Sequence, residues 1–255
     1  MVNIILITQA RMGSTRLPGK IFLKSNGVEL LKIHLDRLSF SNKVSKIIVA
    51  TTSDVKDDVV EVQCEKWGYK VFRGSEDDVL DRFYQASKGE NADYIVRVTS
   101  DCPLIDPKLV DLIIDYTIEK KLDYCSNTLI EDYPDGQDIE VFRFTALKEA
   151  WGKATLLSER EHVTPYIKNN STFKGGKLFY SDNFSSPKNF NHIRMTVDEE
   201  KDFELIDKLV CNLGIDKPWR EYVDYIIEHD LLNINGNIVR NEGYYKSLLK
   251  ETRKK

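Results

Sequence analysis

Apolar positions along this chain fall in short runs separated by polar, amphipathic stretches. The first run, Ile4-Ile5-Leu6-Ile7 behind Val2, is rich in β-branched residues and reads as a buried strand. Within residues 28–38, Leu30, Leu31, Leu35 and Leu38 recur on one face of a helix. Residues 46–51 form the next strand, 54–67 an amphipathic helix closed by Gly68, and 70–72 a short strand. Residues 77–88 are helical, with Gly89 just beyond them. Residues 94–98 (Tyr-Ile-Val-Arg-Val) make another buried strand, and 107–120 a helix whose Pro107 suits a first turn. Strands alternating with helices predict an α/β fold with a Rossmann-like, mostly parallel sheet and right-handed crossovers. From residue 123 the periodicity loosens into a smaller mixed-sheet lobe with two helices, one over 199–211, and short strands that include 174–180 and 194–197. The lysine-rich end, 251–255, reads as a solvated tail.

In open sheets of this kind ligands bind beyond the carboxyl ends of the strands. That rule gathers three loops: residues 9–20, 51–53 and 99–101. The first is the densest in chemistry, running Gln9-Ala10-Arg11-Met12-Gly13-Ser14-Thr15-Arg16-Leu17-Pro18-Gly19-Lys20. Glycine lets backbone N–H groups turn toward a ligand, and the Ser14 and Thr15 hydroxyls add donors. Arginine offers a planar fork to phosphate oxygens, and lysine a compact charge. The pattern reads as a phosphate-holding loop, with a solvated basic turn as the alternative. It is neither a Walker loop nor a GxGxxG motif.

Composition narrows the partners. The 255 residues carry 37 basic and 41 acidic side chains, a formal charge of −4, so a bulk basic footprint for nucleic acid is absent. Cys64, Cys102, Cys125 and Cys211 are far apart and make no CxxC pair, which predicts a reduced, cytoplasmic chain without a disulfide framework. No apolar stretch reaches the length of a signal peptide or a membrane span.

The loop resembles the signature of nucleotidyltransferases that make CMP-activated acidic sugars, most closely the branch of the spore coat polysaccharide biosynthesis protein F family. CMP-Kdo synthetases carry a similar Ala-Arg…Ser-Thr-Arg-Leu-Pro…Lys run. The resemblance extends from Val2 to about Asp207, with a divergent remainder. It implies a nucleotide-diphospho-sugar transferase (GT-A-like) architecture, a nucleotide-binding half over 1–122, and an acceptor-binding and dimerisation lobe over 123–255, within one composite domain.

Asp101 stands after the strand 94–98 and before Cys102-Pro103-Leu104-Ile105-Asp106, a place suited to a hard divalent ion. Helix capping is its competing role, but Asp106 before Pro107 already fills that one. Asp198, in Thr196-Val197-Asp198-Glu199-Glu200, is a second candidate, with N-capping again in competition. The resemblance implies that both hold Mg²⁺. Arg73, in the Arg-Gly-Ser…Asp-Val-Leu-Asp-Arg stretch 73–82, is a candidate base reader, or else a surface arginine in a turn. Cytosine as the base comes from the resemblance alone. Thr52, Thr99 and Ser100 join Gln9 to Arg16 and Lys20 as nucleotide-binding candidates. Two further shared stretches suggest acceptor contact: Gln137, Asp138 and Glu140 around Gly136, and Arg160, Glu161 and His162. A Ser158–Glu161 capping box accounts for part of the second stretch, and a structural histidine is the alternative for His162. Cys102 reads as packing, not as a nucleophile.

The resulting expectation is a CTP-dependent cytidylyltransferase. An acceptor oxygen attacks the α-phosphorus of CTP and pyrophosphate leaves, with Arg11, Arg16, Lys20 and Asp101 as the catalytic groups. Alternatives are another base, a non-sugar acceptor such as a phosphonate, or a GT-A glycosyltransferase, although Asp101-Cys102-Pro103 breaks the DxD pattern of the last. A homodimer through the second lobe is implied by the resemblance and supported by Phe142, Phe144, Leu147, Trp151, Leu156 and Leu157.

Overall fold

The computed structural model describes residues 2–240 together with 242 and 245. The tail expected over 251–255 lies outside the described residues. The apolar runs become the strands β1 (Ile4–Gln9), β4 (Lys46–Thr52), β5 (Lys70–Gly74) and β6 (Tyr94–Thr99), and a two-residue hairpin, β2 (Lys24–Ser25) with β3 (Val28–Glu29), follows the first loop. Helices α1 (Leu30–Leu38), α2 (Asp58–Lys66), α3 (Val79–Ser87) and α4 (Pro107–Glu119) fill the crossovers, each within two or so residues of the predicted ends except at 28–29 and 54–57. At 54–57 a 3₁₀ turn (Val55–Asp57) precedes α2, because the Asp54 carboxylate accepts the Lys56 N–H and tightens the entry.

The sheet is ordered β5-β4-β1-β6-β8-β7-β9, adding β7 (Tyr124–Ser126), β8 (Glu140–Arg143) and β9 (Ser181–Asn183). Strands β5, β4, β1 and β6 pair in parallel, β8 runs antiparallel to both β6 and β7, and β7 pairs in parallel with β9. The mixed part therefore continues the same sheet. Reversal of β8 brings its first residue, Glu140, opposite Arg97 near the carboxyl end of β6.

Past residue 123 the chain departs from expectation. Among the described residues five α-helices form there instead of two: α5 (Phe144–Lys153), α6 (Leu157–His162), α7 (Pro165–Asn169), α8 (Glu200–Leu213) and α9 (Trp219–Glu228). The strand expected over 174–180 is interrupted at Gly175-Gly176, where φ is +82° at Gly175 and a Cβ on Gly176 would meet the Asn170 backbone at 2.4 Å. Phe179 keeps a single bridge, to Ser171, and strand pairing begins just beyond, at Ser181–Asn183. Residues 194–197 make a single bridge, Arg194 to Asp135, and not a strand.

The two sheet faces bury separate cores. One holds Ile5, Ile7, Ile48, Ile95 and Phe142 under α3, α5 and α7, and the other holds Leu6, Val96, Val98 and Val141 under α4. A third core packs α8 and α9 around Met195, Val197 and Leu205 and carries the segment before α8 back to the carboxyl ends of the strands. Beneath that edge His34 is fully buried, with the Thr8 hydroxyl 3.0 Å from Nε2 and the Cys102 carbonyl 2.9 Å from Nδ1. Burial pushes its imidazole down to about 4, so at neutral pH an uncharged ring ties α1 to the turn after β6. No helix among the described residues is long and apolar enough to cross a membrane.

Candidate active site

The first loop is wound around one carbonyl. Ser14 and Gly19 both donate their N–H to the Met12 carbonyl, at 2.9 and 3.1 Å, and the Met12 N–H donates to Asp57 Oδ1 at 2.6 Å. The Thr52 hydroxyl donates to the other Asp57 oxygen, which moors the loop to β4. Gly19 turns the chain with φ +67°, a left-handed conformation, and hands Lys20 into a 3₁₀ turn.

Lys20 is the hub of the site. Its ammonium donates to Asp101 Oδ2 at 3.1 Å, to Asp198 Oδ1 at 2.8 Å and to the Val197 carbonyl at 2.7 Å, with only 11% of its side chain exposed. The other Asp198 oxygen receives Arg16 at 2.9 Å and Arg194 at 3.0 Å. Burial on its own would raise the Asp101 carboxyl, but the Lys20 ammonium and hydrogen bonds from Thr99 and Lys20 outweigh it and hold the group well below the usual carboxylate range. Burial likewise opposes the charge on Lys20, and the two aspartates overcome it, so its pKa is raised. Asp101 and Asp198 converge on one cation, and paired carboxyl groups are the donor chemistry that a hard divalent ion takes. No cluster of three or more His, Cys, Asp or Glu side chains suited to a metal occurs among the described residues.

The capping alternatives resolve geometrically. Asp106 caps α4 by accepting the Lys108 N–H. Ahead of α8 it is Asp202 that accepts the N–H groups of Asp198 and Glu199, which leaves the Asp198 carboxylate turned to the cations. The Thr196 hydroxyl and the Val197 N–H donate to the Asp101 carbonyl and staple the two aspartate segments together.

A cleft of about 490 Å³ runs from this hub across the sheet edge. Gln9, Arg16, Thr99, Asp101 and Asp198 line one end, and Asp138, Glu140 and His162 are found along the rest. Ser100 is buried beside it, and Cys102 is buried with its thiol pushed well up by desolvation, which fits a packing role. Burial pulls His162 down to about 4, so the ring is neutral, with Glu161 Oε2 at 4.0 Å. Asp138 pairs with Arg240 at 2.6 Å.

Three expected site residues do other work. Gln137 is fully buried and bridges the backbone, accepting from the Asp106 N–H and donating to the Leu104 carbonyl, both at 2.9 Å. Arg160 grips Asp78, the N-cap of α3, with Nε 3.0 Å from both carboxylate oxygens, and donates to the Trp151 carbonyl at 2.7 Å. Its helix begins two residues earlier than the Ser158–Glu161 box implies: Glu159 reaches back to the N–H groups of Thr155 and Leu156, and this change of register turns Arg160 toward α3. Arg73 is occupied by Glu61, Asp58 and the carbonyls of Thr52 and Asp54.

A guanidinium that the sequence did not single out as a ligand lies under the loop instead. Arg82 is 2% exposed, and its Nε and Nη1 find no hydrogen-bond partner among the described residues. Burial, reinforced by the Arg11 charge, lowers it to about 10. Gly74 lies against its stem, where a Cβ would come within 2.7 Å of Arg82 Cγ.

Comparison with known proteins identifies the family. The sequence profile of the cytidylyltransferase family matches residues 5–235. The chain is 41% identical to an uncharacterised protein of Methanocaldococcus jannaschii, covering 95% of this chain and 98% of that one. It is 36% identical to spore coat polysaccharide biosynthesis protein SpsF of Bacillus subtilis, covering 84% and 89%. A solved cytidylyltransferase from Leptospira borgpetersenii superposes with a TM-score of 0.86 at 33% identity, covering 94% of this chain and all of that one. Fold and matched length agree, and the chain belongs to the cytidylyltransferase family as a CTP-dependent nucleotidyltransferase.

Proposed function

We propose that this enzyme joins CMP from CTP to an oxygen of an acidic, sugar-like acceptor, in surface polysaccharide or glycan assembly. The observation that carries the reading is the Lys20 ammonium shared between Asp101 and Asp198, at the exit of the loop and the head of the cleft. An acceptor oxygen forms a bond to the α-phosphorus, the bond from that phosphorus to the bridging oxygen breaks, and pyrophosphate leaves. Arg11, Arg16 and Lys20 offset the charge that grows on the leaving group, so positioning and electrostatics replace a protein nucleophile. Asp101 and Asp198 would hold Mg²⁺, which when bound neutralises phosphate charge. The printed role of the Bacillus relative, spore coat polysaccharide biosynthesis, supports a sugar-like acceptor. The four cysteines are all free, which supports a cytoplasmic site of action.

Base reading passes from Arg73 to Arg82, because Arg73 already serves four acceptors whereas Arg82 holds donors without partners. Pyrophosphate release measured with each of the four ribonucleoside triphosphates tests both ideas. CTP is expected to be preferred, and Arg82→Met to raise its KM at least about tenfold, the loss of a charged hydrogen bond. The same change removes a buried, unpartnered charge, so the melting temperature holds or rises. Equal rates with all four triphosphates, or an unchanged KM in Arg82→Met, would overturn the corresponding assignment.

We also propose a homodimer. Of the six apolar residues expected at the interface, Phe142 and Leu147 are buried in the core, and Phe144 and Trp151 pack against it. Leu156 and Leu157 stay 43% and 54% exposed on consecutive positions, and they are the pair left for a symmetric contact. Light scattering is expected to give twice the 29.5 kDa monomer, falling to the monomer value in Leu156→Glu/Leu157→Glu. A monomeric wild type refutes it.

A further inference from the structure

One sheet face changes character along its length. Ile5 and Ile7 of β1, Ile95 of β6 and Phe142 of β8 are apolar and buried, whereas Gln9, Arg97 and Glu140 follow at alternate positions on the same face. An arginine in the middle of a seven-stranded sheet costs desolvation that an apolar residue would avoid. Its surroundings nevertheless hold it in one pose. Arg97 Nη1 donates to Glu140 Oε2 at 2.5 Å, and Nη2 lies 3.5 Å from Gln9 Oε1 on the cleft floor. The second Glu140 oxygen receives Lys168 of α7 at 3.1 Å, the Tyr124 hydroxyl at 2.6 Å and the Thr164 hydroxyl at 2.7 Å. Glu140 is buried, and although burial opposes its ionisation, Lys168 and Arg97 hold its carboxyl down at about 2.

We propose that Arg97 and Lys168, held on Glu140, are the subsite that takes the acceptor's carboxylate. This rests on the reading that the acceptor is an acid. With four partners Glu140 has no capacity left for a ligand, so it acts as a positioning residue and not as the acceptor contact expected of it. Two cations on one carboxylate leave a single positive charge, matched to one anion. Donors remain to deliver it: Arg97 Nη2 has only the long contact to Gln9, and Lys168 has further N–H groups. Both side chains line the cleft that begins at Asp101, and His162, neutral, adds no competing charge there. Of the other cations, Lys20 and Arg16 are engaged by Asp198 and Arg194 by Asp135 and Asp202, while Lys174, which also lines the cleft, lies 5.9 Å from the Phe173 ring centroid.

The test is equilibrium binding to the metal-free full chain loaded with CTP. The probes are 3-deoxy-2-ulosonic acids of eight and nine carbons and their C1 amides. At least one acid is expected to bind about tenfold or more tightly than its amide. Arg97→Met and, separately, Lys168→Met should weaken that acid about tenfold while leaving the amide and CTP within twofold. Arg97→Lys, which keeps the charge, should recover part of the loss. A role confined to folding would weaken acid, amide and CTP together, and that result overturns the proposal. So does equal binding of acid and amide to the wild type, or acid affinity unchanged in both methionine variants. CTP binding without any acid overturns the subsite alone, whereas failure to bind CTP overturns the functional reading beneath it.

Discussion

Lys20→Ala is expected to lower turnover by about 100- to 1,000-fold or more, the range for removing one fixed donor from a site of developing negative charge. That corresponds to roughly 3–4 kcal/mol of transition-state stabilisation. Three features of the structure push the effect toward the upper end. The ammonium is nearly shut off from water, so its field is poorly screened. It is delivered by Gly19 in a left-handed turn, which fixes where the side chain enters the site. It also bridges Asp101 and Asp198, and without it the two aspartates lose the cation they share. Arg16 and Arg194 still neutralise Asp198, so the variant should fold, with a lowered melting temperature. Pyrophosphate release at saturating CTP, alongside a thermal melt, measures both effects. Near wild-type turnover from a folded Lys20→Ala would sink the assignment of this loop to the leaving phosphates.

Much of this was legible because the chemistry of the loop is contiguous. Gln9 to Lys20 follow one another directly, so their residue types show at a glance what the backbone then arranges around the Met12 carbonyl. Asp101 and Asp198 are distant in sequence. Each stood out by its place at the end of an extended stretch, but only the fold shows that one lysine joins them. The misreadings share a cause: a polar residue beside a glycine or at a helix start looks the same in sequence whether it meets ligand or backbone. Gln137 meets backbone, and a shift of the helix start turned Arg160 to Asp78. Arg97 did leave a sequence signal, a lone charge inside Tyr94-Ile95-Val96-Arg97-Val98. Its meaning depended on the reversal of β8, which no local pattern announces. Arg82 was hidden for a different reason, since an orphaned guanidinium is defined by the partners it lacks, and these emerge only from tertiary packing. The strands expected over 174–180 and 194–197 failed where tertiary contacts outweighed β-propensity.

Asp101→Asn and Asp198→Asn are each expected to raise the Mg²⁺ concentration for half-maximal activity about tenfold or more, as the loss of one ionised oxygen ligand requires. Their effects on the metal-free fold should differ. Among the described residues Asp101 has Lys20 as its one cationic partner, and that ammonium keeps Asp198, so its neutralisation lowers the melting temperature less than that of Asp198. Asp198 stands among Lys20, Arg16 and Arg194, and neutralising it leaves three cations with reduced compensation, which lowers the melting temperature. Asp202→Asn supplies the contrast that separates metal holding from helix capping. Asp202 is fully buried, caps α8 through two backbone N–H groups and pairs with Arg194 at 2.8 Å, so its loss should cost about 3 kcal/mol of stability with a smaller change in Mg²⁺ response. Activity titrated against Mg²⁺ and thermal melts of the three variants together decide the matter. If Asp198→Asn answered to Mg²⁺ like the wild type, its carboxylate would be an anchor for Arg16 and Lys20, and the metal would rest on Asp101 and the phosphates.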